Sequence, residues 1–345
     1  MSNTIISAAF YTGDKNFTVE QIEAEDPAAG EVQIDVAFCG VCGTDLHVYL
    51  GHMDARIGNH RVIGHEMSGT VSKLGEGVTN LQVGQRVVVR PLDHCGDCPA
   101  CNRGHQHICQ NLKFLGLDCN GAFQDKWCVP VHTVHGLPDS LSLSHAALVE
   151  PLAVASHDCK RARVAAGEDV LVIGGGPIGM LVALVARAEG AKVSISEVNK
   201  NRLAFAEKLG FETYNPLEVD VAEVFTKATD GKGADVVFEV SGTQPGVDLM
   251  TQVMATRGRI CMVAIHATKP TIDLFQFFWR EIEMLGARVY EPEDYEKALQ
   301  LMASGDIDVG ALITDIKSLD EIQSAFVELT SNPNAMKTLI RLAGE

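Results

Sequence analysis

From residue 1 to about 150, apolar and polar positions alternate in short runs broken by clusters of Gly, Asp, Asn and Pro. Val32, Ile34, Val36 and Phe38 point one way around Gln33, Asp35 and Ala37, the alternation of a half-buried strand. This half reads as mostly β. From about 160 to 287 the pattern lengthens into strand, turn, helix, strand. A strand over 169–173 leads to a helix over 177–189 closed by Gly190, and a strand over 191–196 leads to a helix over 201–209 closed by Gly210. Further strands are expected over 234–240, 259–264 and 283–287, with a helix between the first two. Strands alternating with helices of this length imply an α/β fold with a doubly wound parallel sheet. The tail after about 288 returns to a mixed texture and is expected to rejoin the first half.

A chain of 345 residues suggests two domains at ~150 residues each. With 46% apolar and 21% charged residues it belongs to the compact globular class. The formal net charge of −17 repels phosphate backbones and anionic bilayers, so nucleic acid and membrane partners are not expected. The first residues, up to Gly13, carry no cationic segment followed by an apolar run, so no secretory signal is expected. The longest apolar stretch, 170–186, is interrupted by glycines and Pro177 and does not read as a membrane span. Ten cysteines are too sparse for a disulfide scaffold, which points to a reducing, cytoplasmic location and to metal.

The interruption has a chemical use. Gly174, Gly176 and Gly179 form GxGxxG directly after an apolar strand, and Pro177 and Ile178 open the helix that follows. Glycines there permit a tight turn and bring helix amides close to a pyrophosphate. Glu197 ends the next strand, where a carboxylate accepts from ribose hydroxyls and repels a ribose phosphate, favouring NAD over NADP. Arg202 lies just beyond, and Ser241 and Val263 complete the candidate cofactor-binding set.

Cys95, Cys98, Cys101 and Cys109 lie within fifteen residues. Four thiolates close a tetrahedral zinc shell and leave no place for water, so such a site is structural. An iron–sulfur cluster is the alternative use of four cysteines. His94, His105 and His107 read as loop residues. A second, dispersed group lies in GVCGTDLH (40–47), GHE (64–66) and VEP (149–151). Cys42, His65 and Glu150, with Glu66 as an additional carboxylate, fit an open zinc site of three protein ligands, although spacing alone also allows a buried Cys among unrelated groups.

These motifs together, with VIGHEMSGTV, GQRVVV, ALVEPLAVASH and VLVIGGGPIGML, resemble the zinc-dependent medium-chain dehydrogenase/reductase family over essentially the whole chain. The resemblance implies a GroES-like zinc-binding catalytic domain over 1–155 and 288–345, and a Rossmann domain over 156–287. It implies two zinc ions per chain, with Cys42, His65 and Glu150 around the catalytic one and Glu66 a direct or exchanging ligand. The Glu of the EP pair looks like the sorbitol (L-iditol) dehydrogenase branch, with threonine, butanediol and sugar-acid dehydrogenases as near relatives. The chain departs from sorbitol dehydrogenases at Val48, where a Tyr is common; here Tyr stands at 49.

The expected reaction is reversible NAD-linked oxidation of a polyol's secondary alcohol to the ketose. A hydroxylated carboxylate, either a sugar acid or threonine, is the alternative substrate. By the same resemblance Thr44 receives the alcohol proton, His47 passes it on, and Arg288 reaches the substrate, while Asp45 orients a ligand. A homo-oligomer, dimer or homotetramer, is expected. A nonenzymatic dinucleotide sensor on the same scaffold would lack the metal ligands or the proton path, and all of these residues are present.

Overall fold

The computed structural model describes residues 4–332 and 334–342. The chain divides into two compact units, one formed by residues up to Glu150 together with those from Glu291 onward, the other by Pro151–Tyr290.

The first unit is built on the strand Glu31–Gly40. It pairs antiparallel with Glu66–Leu74 and Lys126–Pro130, and, near its end, with the C-terminal strand Lys337–Arg341. The tail therefore returns to the first half through backbone hydrogen bonds. Arg86–Val89 and Val134–Gly136 extend this sheet on one side, and Ile313–Ser318 on the other. The expected alternation in Glu31–Gly40 is only partly kept, because Gln33 and Ala37 are buried along with Val32, Ile34, Val36 and Phe38. Gln33 tolerates burial because its amide is satisfied. It donates to the Glu25 carbonyl (2.6 Å) and accepts from the Ser72 hydroxyl (3.0 Å). Asp35 stays half-exposed and pairs with Lys126.

The second unit is a parallel sheet of six strands in the order Glu212–Tyr214, Lys192–Ser196, Asp169–Ile173, Ala234–Glu239, Met254–Met262, Glu283–Gly286. This order reverses beside Asp169–Ile173, the place where an open α/β sheet forms its binding crevice. The helix Pro177–Ala188 starts at that strand's carboxyl end. Gly179 lets it sit close, since a Cβ there would lie 1.9 Å from the Gly174 carbonyl oxygen. Two details depart from the sequence pattern. Glu212–Tyr214 is a strand of three residues, too short to show a period, and Met254–Met262 begins earlier than 259 because Met254 pairs with Ala234 before the register shifts. Among the described residues no helix is long and apolar enough to cross a membrane.

Candidate functional site

Cys42, His65 and Glu66 come together in the first unit with their ligand atoms all within 4.8 Å of one another. The strand Glu31–Gly40 leads to Cys42, which is the N-cap of the helix Gly43–Tyr49. The neighbouring strand begins at Glu66, paired with Gly40. Gly40 has no side chain to block it: a Cβ there would lie 2.3 Å from Oε2 of Glu66. Asp45, in the first turn of the helix, accepts from the Cys42 amide through Oδ2 (2.9 Å) and turns Oδ1 toward Nδ1 of His65 at 3.6 Å. A buried carboxylate behind an imidazole fixes the ring and leaves the other nitrogen for a metal. Burial pulls the His65 imidazole down, but the Asp45 carboxylate and the Cys42 side chain outweigh it and hold it well above the ordinary histidine range. A half-buried thiol with a buried imidazole and carboxylate are the donor types of a catalytic zinc, and three such ligands leave a tetrahedral ion one exchangeable position.

Lys337, on the C-terminal strand, was not legible as a site residue. Its buried ammonium donates to Oε1 and Oε2 of Glu66 (2.9 and 2.7 Å) and to the Val41 carbonyl (3.2 Å). Burial opposes this charge, yet Glu66, Cys42 and Glu150 together raise its pKa above the usual lysine value. A lone Lys lying 271 residues from its partner has no spacing signal.

Glu66, expected as a direct or exchanging ligand, has its carboxylate within 4.8 Å of the Cys42 and His65 ligand atoms, while Glu150, expected around the same metal, is not part of that group. Register brings Glu66 there: it pairs with Gly40 and follows His65 directly. Glu150 is buried in the first turn of the helix Val149–Ala162, and its charge acts on Lys337 and on the Tyr295 hydroxyl. Thr44 and His47 lie one turn apart on the helix that Cys42 caps, hence on one face. Tyr49 is buried against Phe17 and Phe326, so it belongs to the core. Arg288 is in the second unit, beyond the strand Glu283–Gly286, and is exposed.

The four-cysteine lobe is compact. Zinc–sulfur bonds of about 2.3 Å in a tetrahedron separate the sulfurs by about 3.8 Å. Cys98 and Cys109 are 3.8 Å apart and Cys95 and Cys109 3.4 Å, which suits a single ion rather than a cluster. Backbone amides aim at the sulfurs: Cys101 and Gln110 donate to Cys98 (3.5 and 3.4 Å), and Asn111 donates to Cys109 (3.3 Å). The Cys101 amide, first among these donors, draws the Cys98 thiol down to about 6.

In the second unit a crevice of about 850 Å³ opens at the switch point, lined by Gly174, Gly176, Glu197, Arg202 and Ser241 among others. Glu197 is held by the amides of Gly175 (2.7 Å) and Asn199 (2.8 Å). Pro177, Ile178, Gly179 and Val263 do not line it. Gly179 serves helix packing instead, and the Val263 amide bonds the Glu239 carbonyl (3.0 Å). Val198, Leu217 and Val219 line the crevice without having been foreseen, since single apolar loop residues carry no motif.

Removing Lys337 leaves a buried carboxylate uncompensated, so Lys337→Met is expected to cost about 3–5 kcal/mol in urea unfolding. Glu66→Gln in the same chain should restore much of that loss. Strictly additive losses in the double-mutant cycle would show that the pair does not couple.

The comparisons with known proteins follow the same division. Residues 28–139 match the alcohol dehydrogenase GroES-like domain, and residues 177–304 match the zinc-binding dehydrogenase domain. The chain is 53% identical over 338 residues to a 2-dehydro-3-deoxy-L-galactonate 5-dehydrogenase of Pseudoalteromonas atlantica, covering 98% of this chain and 99% of that one. It is 33% identical over 335 residues to a sorbitol dehydrogenase of Halalkalibacterium halodurans, covering 95% and 96%. The solved structure of an Escherichia coli oxidoreductase/dehydrogenase of unknown specificity superposes with a TM-score of 0.94 at 28% identity, covering 99% of this chain and 100% of that one. The chain thus belongs to the zinc-binding alcohol dehydrogenase family and is an enzyme that dehydrogenates a small-molecule alcohol.

Proposed function

We propose that the protein is an NAD-linked dehydrogenase of a sugar acid, oxidising a secondary hydroxyl of a 2-keto-3-deoxy hexonate. The observation that carries this reading is the 53% identity, along nearly the whole of both chains, to the relative named for 2-dehydro-3-deoxy-L-galactonate. The polyol, foreseen first from the EP pair, gives way to the hydroxylated carboxylate, because the relative named for sorbitol is only 33% identical. The burial of Tyr49 supports the change, since that ring is not available to a polyol.

Cys42, His65 and Glu66 would hold the catalytic metal, and Cys95, Cys98, Cys101 and Cys109 the structural one. When bound, the metal and the dinucleotide supply Lewis-acid activation of the alcohol and a hydride acceptor. The chain's own residues manage the proton and the orientation. Thr44 receives the alcohol proton, and His47, one turn further along the helix, carries it outward. Asp45 holds His65, and Lys337 holds Glu66. Glu150, which shares the Lys337 charge, offers a second carboxylate for ligand exchange. Arg288 supplies a guanidinium for the substrate carboxylate, a pairing that its planar donors favour.

Gly174 and Gly176 would admit the pyrophosphate, with Glu197 taking the adenosine ribose. A reducing, cytoplasmic setting belongs to this reading, because ten cysteines in 345 residues are too sparse for a disulfide scaffold and five of them are metal-ligand candidates. A homo-oligomer is supported by the helix Leu274–Arg280, whose Phe275, Phe278 and Trp279 are exposed next in sequence to the edge strand Glu283–Gly286.

A panel of sugar acids, the matching sugar alcohols, diols and threonine, followed by NADH absorbance, should give the highest kcat/KM on a 2-keto-3-deoxy hexonate. Arg288→Ala should penalise the acids selectively, by about 1–3 kcal/mol in kcat/KM. A preference for polyols, or equal losses on acids and alcohols, would contradict the reading. Glu197→Ala should weaken NAD binding and narrow the gap to NADP, read as the ratio of the two kcat/KM values. An unchanged ratio would place Glu197 outside the ribose contact.

A further inference from the structure

The helix that begins at Cys42 ends in an unusual way. The Gly51 amide bonds the Val48 carbonyl (2.9 Å), and the His52 amide bonds the His47 carbonyl (3.0 Å), with Gly51 in the left-handed region at φ 82°. This is the Schellman closure of a helix, which brings the second residue past the C-cap against the residue three before it. Those two positions usually make an apolar contact. Here they are His52 and His47, and their Nδ1 atoms are 3.1 Å apart with ring centroids at 5.4 Å. His47 is half-buried and His52 is exposed, so the pair runs from the protein toward solvent.

Two imidazoles in this geometry are bound by one proton. One Nδ1 must donate and the other accept, and a second added proton would break the bond by making both nitrogens donors. We propose that His52 is the outer half of a two-imidazole proton exit, acting through His47. This rests on the reading of His47 as carrier of the alcohol proton.

The step balances without any change in electron count. A proton arrives at Nε2 of His47, the Nδ1 proton of His47 passes to the Nδ1 lone pair of His52, and the Nε2 proton of His52 leaves to water. One proton enters, one leaves, and both rings end in the opposite tautomer. The reverse reaction, or exchange with bulk water, restores them. The backbone makes this arrangement independent of the His52 side chain, because the Schellman bonds use only main-chain amides and carbonyls. Replacing the ring should therefore leave the fold and the position of His47 in place. His52 is in this sense a positioning and proton-handling residue and does not touch the substrate.

The test uses the full-length enzyme, metal-loaded, with saturating NAD and the best substrate of the panel. His52→Ala should lower kcat about tenfold with KM little changed, and added imidazole should restore it. His47→Gln should lower kcat at least as much, and the double variant should fall no further than His47→Gln alone, because both act on one path. The ring ¹⁵N shifts of His47 in the resting enzyme should report a fixed Nδ1 hydrogen bond that disappears in His52→Ala, a change that a merely structural surface residue would not cause. If His47→Gln is impaired while His52→Ala retains full kcat, the path ends at His47 and the proposal is overturned while the role of His47 stands. If neither variant is impaired, the role of His47 falls as well. A loss in His52→Ala that imidazole does not restore, or that adds to that of His47→Gln, also overturns the proposal.

Discussion

The buried ion pair of Lys337 with Glu66 is the constraint on which the candidate active site depends. Asp45, Glu66 and Glu150 are three buried carboxyl side chains of the same unit. Anionic groups gathered away from water repel one another unless a cation stands among them. Lys337 supplies such a charge to Glu66, and it arrives because the C-terminal strand joins the sheet beside Glu31–Gly40. The strand that ends next to Cys42 thus has the ligand strand beginning at Glu66 on one side and the charge that steadies it on the other. The return of the tail to the first half is a requirement of the chemistry as much as of the fold.

The helix Gly43–Tyr49 concentrates several functions in seven residues. Its N-cap is the thiol, its first turn carries Thr44 and Asp45, the latter behind His65, its last turn carries His47 on the face of Thr44, and its closure sets His52 against His47. In the second unit the parallel sheet performs the corresponding task with backbone. Glu197 is fixed by two amides at a strand end, and the close seat of the helix Pro177–Ala188 depends on Gly179.

What the sequence made legible follows the range of the interactions. The cysteine lobe and the glycine-rich turn are local, so the cysteine spacing pointed to a structural zinc and the glycines, set between a strand and a helix, to a dinucleotide crevice, and the α/β alternation predicted five of the parallel strands within a few residues. The nearness of Glu66 to Cys42 depends on the pairing of Glu66 with Gly40, a strand register that no local pattern encodes. Lys337 was hidden for the same reason, its partner being 271 residues away. The Glu212–Tyr214 strand was too short to carry a period. His52 was passed over because its meaning arises from a helix closure, which a pattern of apolar and polar positions does not reveal.

The central claim is that the first unit holds two separate metal sites, one closed by sulfur and one open at Cys42, His65 and Glu66. Anomalous difference density at the zinc absorption edge, from crystals of the enzyme purified with its metal, tests it most directly. The account predicts two peaks per chain, one bonded to the sulfurs of Cys95, Cys98, Cys101 and Cys109 at about 2.3 Å and one bonded to Cys42 and His65 at about 2.0–2.3 Å. A single peak in the cysteine lobe, or a second peak bonded to other residues, would contradict it.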